Sequence, residues 1–148
     1  MMNRREFVLG ASALAAVGSS LAPTPSVSNE KVRVVIVGAG AAGLTIASQL
    51  RRRLPHATIT IFDARKQHYF QPGYTLVGAG WWSPSEVIDS TRQYIPRDVN
   101  WIEQNIAEFD PDAKTVVTNT GVKHVYDWLF VTTGLSLDYT AIEGMHPR

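Results

Sequence analysis

The chain has 148 residues, 45% hydrophobic and 18% charged, which fits a soluble globular protein of about one domain. A net charge of +1 offers no ground for a nucleic-acid or acidic partner. With no cysteine, the chain itself can hold no disulfide, no thiolate metal site and no cysteine nucleophile.

Residues 1–30 differ in kind from the rest. Arg4 and Arg5 precede an apolar, Ala- and Gly-rich run from Phe7 to about Val17, then small residues and a Pro/Ser tail. That order is the one found in export signals. The run is too short, and too rich in Gly and Ser, for a membrane span. The arginine pair followed by Glu6, Phe7 and Val8 resembles a twin-arginine signal, a route that carries proteins already folded around a cofactor. A periplasmic location is therefore expected; an amphipathic or disordered arm is the competing reading. Fold reasoning starts at Lys31, with residues 31–148 as the second unit.

"VRVVIVG" is continuously apolar and β-branched, the pattern of a strand buried on both faces. A helix is predicted over 41–54, "AAGLTIASQLRRRL", with Leu44, Ala47 and Leu50 on one side. Arg51, Arg52 and Arg53 suit a solvated helix end that complements the macrodipole, and Pro55 stops the helix. "ATITIFDA" is a second strand ending at Asp63. Together these form one βαβ unit.

Between the first strand and the helix lies Gly38-Ala39-Gly40-Ala41-Ala42-Gly43. Gly38 makes a tight turn, Gly40 lets a pyrophosphate approach the backbone, and Gly43 allows close packing of helix on sheet. Free N–H groups at the helix start face the phosphates. An acidic residue, Asp63, follows 63 − 38 = 25 positions on, which completes the context of a dinucleotide-binding turn. A carboxylate there accepts from ribose hydroxyls and repels a 2′-phosphate, so FAD or NAD is expected over NADP.

From Asn100 onward the chain reads as a run of short strands, with turns at "DPDAK" and "NTG". The last strand ends at Thr133-Gly134. A β-meander followed by such a strand resembles the FAD domain of flavoproteins with two dinucleotide-binding domains, which favours FAD. His68, Tyr69 and Phe70 are expected to pack a loop on the sheet, and Trp81 and Trp82 to be core or a buried loop anchor. Tyr94, Trp101 and Trp128 read as core. His124 and His146 lack metal-ligand spacing, so no metal is expected.

"DARKQHYFQPGYTLVGAG" and "LSLDYTAIEGM" resemble the sulfide:quinone oxidoreductase family, over about residues 31–145. The resemblance implies an α/β fold: a Rossmann-like FAD-binding βαβ unit plus a β-meander, forming the N-terminal part of a longer flavoprotein. It implies that Gly38, Ala39, Gly40, Ala41, Ala42 and Gly43 contact the pyrophosphate and that Asp63 holds the adenosine ribose. Gln71 would hold FAD from the loop after the second strand, Ile106 would offer backbone contacts to adenine, and Thr133 and Gly134 would close the pocket. It further implies oxidation of sulfide to sulfane sulfur or polysulfide, with electrons passed through FAD to a membrane quinone. The redox cysteines and the membrane-binding surface are expected beyond residue 148, with no catalytic residue in this chain and the 148 residues alone inactive. Flavocytochrome c sulfide dehydrogenase, a type 2 NADH:quinone dehydrogenase and a non-functional truncated chain stay open as competing readings. Relatives of the first place a flavin-linked cysteine where this chain has Gln71, so non-covalent FAD is expected instead.

Overall fold

The computed structural model describes residues 31–136 and 138–145; the expected export signal lies outside them. Strand β1 (Arg33–Val37) is followed by helix α1 (Ala41–Arg53) and strand β2 (Thr58–Phe62). Next come the short strand β3 (Gln67–Tyr69), the one-turn helix α2 (Tyr74–Gly78) and strand β4 (Ile88–Ser90). Strands β5 (Asn100–Ile102), β6 (Ile106–Asp110), β7 (Thr115–Thr118), β8 (Lys123–Val125) and β9 (Trp128–Val131) complete the order.

The main sheet has the order β5-β2-β1-β9, with every pair parallel. After Arg33, β1 is continuously apolar (Val34–Val37) because those four residues are covered on both faces. Val34 and Ile36 pack with Leu44 and Ala47 of α1 and with Ile59 and Ile61 of β2. Val35 and Val37 pack with Phe62, Val116 and Tyr126, on the side of the antiparallel meander β6-β7-β8. The period of two along a strand thus feeds two cores from one run of valines and isoleucine. Helix α1 runs to Arg53, with Leu54 as its C-cap donating to the Leu50 carbonyl, and Pro55 lies just beyond.

Several expectations need correction. The run of short strands expected after Asn100 is present but divides between two sheets: β5 and β9 join the parallel sheet, and only β6, β7 and β8 form the meander. An antiparallel β3-β4 pair, to which no element was assigned from sequence, occupies part of the stretch after Asp63. Trp81 is 79% exposed and Trp128 is 65% exposed, so neither is core. Trp128 sits on β9, which has β1 as its single strand neighbour among the described residues. Tyr69, Phe70 and Tyr94 are also exposed. His68 stacks against Tyr94 at 4.7 Å between ring centroids rather than on the main sheet. Trp101 does pack against the core.

Candidate dinucleotide site

The parallel register brings the ends of three strands to one level. Val37 lies opposite Phe62 on one side and Val131 on the other. The residues that leave the sheet there are Gly38, Asp63 and Thr132. The Gly38 N–H donates to the Phe62 carbonyl at 2.8 Å, and the Thr132 N–H to the Val37 carbonyl at 2.7 Å. Ligands of open parallel sheets bind outside this C-terminal edge.

The three glycines meet different surroundings. Gly38 has φ +105°, and a β-carbon there would collide with the Thr132 carbonyl. A β-carbon on Gly43 would collide with the Gly38 carbonyl oxygen, with Thr132 Oγ1 only 2.8 Å away. At Gly40 nothing lies within 4 Å of such a carbon, so that corner of the turn is open. Gly38 and Gly43 therefore let the protein pack against itself, whereas Gly40 leaves room for something else.

The start of α1 is suited to an anion. Gly40 is its N-cap and supplies no side-chain hydrogen bond, and the first turn has no acidic residue. Ala41 and Ala42 are exposed, while Ala39 is buried. The N–H groups of Gly38 and Ala39 are already engaged, by Phe62 and Asp63. A phosphate approaching the turn thus meets Gly40, Ala41 and Ala42, where the helix dipole favours negative charge.

Asp63 is 6% exposed and accepts at both carboxylate oxygens. Oδ2 accepts from the Ala39 N–H at 2.8 Å and from Arg65 Nη2 at 2.8 Å. Oδ1 accepts from the Arg65 N–H at 2.8 Å and from Arg65 Nε at 3.1 Å. Burial pushes the Asp63 carboxyl up. The Arg65 side chain and the Ala39 and Arg65 N–H groups outweigh it and hold the group below its ordinary value. The Asp63 carbonyl in turn accepts from Trp101 Nε1 at 3.0 Å.

The other sequence-predicted residues are placed as follows. Thr133 and Gly134 follow Thr132 beyond β9, and the Thr133 nitrogen lies beside Gly38; Gly134 has φ +77° and nothing within 4 Å of where a β-carbon would sit. Ile106 begins β6 and packs its side chain against the core on the meander side. Gln71 is exposed and starts a 3₁₀ turn over Gln71–Gly73, just past β3. Sequence reasoning missed two residues. Thr132 Oγ1 donates to the carbonyls of Val37 and Gly38, each at 3.0 Å, and so clamps the turn to β9. Arg65 covers the carboxylate that the sequence assigned to a ribose. The "TTG" string signalled Thr132 only as part of a motif, and nothing in "DARKQ" separates Arg65 from a solvated arginine.

An open glycine corner, an uncapped helix start and an ionised, buried carboxylate at adjoining strand ends fit the pyrophosphate and ribose of a dinucleotide. Comparison with known proteins agrees. Residues 32–148 match the family described as pyridine nucleotide-disulphide oxidoreductase. The chain is 37% identical over 112 residues to mitochondrial sulfide:quinone oxidoreductase of Mus musculus, covering 76% of this chain and 25% of that protein. It is 29% identical over 119 residues to a type II NADH:quinone oxidoreductase of Staphylococcus aureus, covering 78% of this chain and 29% of that one. Among solved structures, the sulfide:quinone oxidoreductase of Aquifex aeolicus superposes with a TM-score of 0.64 at 28% identity, over 73% of this chain and 25% of that one. The chain thus spans about a quarter of the length of these sulfide:quinone oxidoreductases. The glycine turn, its three-strand platform and the match over nearly all of the described residues agree, and the chain belongs to the pyridine nucleotide-disulphide oxidoreductase family.

Proposed function

We propose that this chain is the FAD-binding portion of a sulfide:quinone oxidoreductase, which oxidises sulfide to sulfane sulfur or polysulfide and reduces a membrane quinone. The open corner at Gly40, set against the uncapped start of α1, carries the nucleotide part of this reading. Gly40, Ala41 and Ala42 would hold the pyrophosphate, and Asp63 the ribose. Thr133, Gly134, Gln71 and the Ile106 backbone would line the rest. Similarity to sulfide:quinone oxidoreductases supports the choice of substrates. FAD supplies the two-electron redox chemistry when bound; the protein's part is to bind, orient and shield it. Gln71, which has no nucleophilic sulfur, supports non-covalent attachment at least by this part of the protein. Arg4 and Arg5 support twin-arginine export to the periplasm, with the enzyme peripheral to the membrane.

The test uses the complete protein. Acid denaturation should release its flavin into the filtrate, and sulfide should drive quinone reduction. Flavin retained on the polypeptide would favour the flavocytochrome c reading. Quinone reduction driven by NADH and not by sulfide would move the assignment to the type II NADH:quinone oxidoreductases, to which the chain is also similar.

A further inference from the structure

Asp63 is the residue a ribose would engage, yet every acceptor position expected of its carboxylate is filled by the chain itself. A carboxylate offers about four lone-pair sites. Here one is taken by the Ala39 N–H, one by the Arg65 N–H, and two by the Arg65 guanidinium, through Nε at 3.1 Å and Nη2 at 2.8 Å. The backbone donors belong to fixed parts of the fold. The guanidinium does not: the Arg65 side chain is 62% exposed, whereas that of Asp63 is 6% exposed. One partner is locked in place and the other is free to leave into water.

We propose that the Arg65 guanidinium is a stand-in for the ribose hydroxyls, occupying their positions on Asp63 until a nucleotide displaces it. The inference rests on the FAD reading above. Its geometry resembles a ribose diol: two donors on one rigid group, reaching one oxygen each. Without such a group, an ionised carboxylate this buried would lack part of its compensation. Arg65 and FAD therefore compete for the same carboxylate. Removing the side chain should tighten binding, the reverse of what is expected for an arginine that attracts the pyrophosphate. The backbone N–H of residue 65 remains in any substitution, so the turn keeps its bond to Asp63.

The complete protein, stripped of flavin, is titrated with FAD by quenching of flavin fluorescence, as wild type, Arg65→Met and Arg65→Lys. The methionine variant is expected to bind FAD about fivefold tighter, the scale of an ion pair with one solvent-exposed partner given up on binding. The lysine variant, which lacks the two-donor fork, should shift in the same direction by less. It also serves as the test if the methionine variant fails to fold. ADP, measured by competition, should show the same gain, and 2′,3′-dideoxy-ADP should show none. Equal or weaker FAD binding by the variants overturns the proposal, as does an equal gain for the dideoxy analogue, which would point to general electrostatics. Failure of the wild type to bind FAD at all would refute the FAD reading itself. Wild-type binding with no gain in the variants would refute only the role of Arg65.

Discussion

Gly40 and Gly43 lie three residues apart, and replacing each should fail in a different way. A methyl group on Gly43 would collide with the Gly38 carbonyl oxygen, which is backbone and is held by the Thr132 hydroxyl at 3.0 Å. Relief therefore requires α1 to move off the turn. Overpacking of this kind costs roughly 1–3 kcal/mol, against about 1 kcal/mol of helix propensity gained by replacing glycine with alanine. With a backbone atom as the obstacle the upper end applies, and Gly43→Ala should lose about 2 kcal/mol. Gly40 has φ −77° and ψ −176°, an extended conformation open to any residue, and nothing lies near its missing β-carbon. Serine is a good N-cap, so Gly40→Ser should keep stability within about 0.5 kcal/mol. It should nevertheless displace the pyrophosphate. Losing one charge-assisted hydrogen bond costs roughly 1.5–3 kcal/mol, or about 10- to 150-fold in affinity. Urea unfolding of the flavin-free protein and FAD titration separate the two effects. Full FAD affinity in Gly40→Ser, or undiminished stability in Gly43→Ala, would refute the division of labour.

Asp63→Ala should weaken FAD binding by roughly 1.5–3 kcal/mol, read from flavin fluorescence. In that background Arg65→Met should no longer alter affinity, because the two residues act as one unit. At the other end of the sheet, Arg33 donates through its backbone N–H, Nε and Nη2 to Asp127. The Arg33 side chain and N–H lower the Asp127 pKa to about 2. A depressed folded-state pKa contributes stability that is present above the unfolded value, near 3.9, and is lost as pH falls through about 2. Asp127→Asn should therefore flatten the acid limb of thermal stability across that window, while an unchanged limb would remove Asp127 as its source. Lysine in place of both Arg4 and Arg5 should leave a fused reporter in the cytoplasm, and continued export would exclude the twin-arginine route.

The first half of the site was legible because its constraints are local. Four apolar residues running into G-x-G-x-x-G specify a doubly buried strand, a turn and a helix, and the structure has them at 33–37 and 41–53. Non-local features left weaker traces. β5 is three residues long, too short for any periodicity to show whether it pairs in the meander or in the parallel sheet. Trp128 looked like core because it is large and apolar, but exposure depends on what lies beside β9, which composition does not encode. Arg65 was hidden for a related reason. Three residues past a strand end, only the turn itself decides whether a basic side chain points away or folds back onto the acid.

That backward fold changes what Asp63 means. A carboxylate at the end of the second strand reads, in sequence, as a ligand group waiting for its ribose. In the structure it already has two jobs. Its bond from the Ala39 N–H ties the glycine turn to the end of β2, so the carboxylate helps build the turn on which a phosphate would sit. Its bonds from Arg65 keep it ionised in spite of burial. A protonated acid would accept less well from either partner. The charge that a ribose would use is thus the charge that holds the glycine turn in shape. The glycine corner and the ribose position form one electrostatic unit, built from the chain's own donors, and the part a nucleotide would displace is the exposed guanidinium rather than the buried frame.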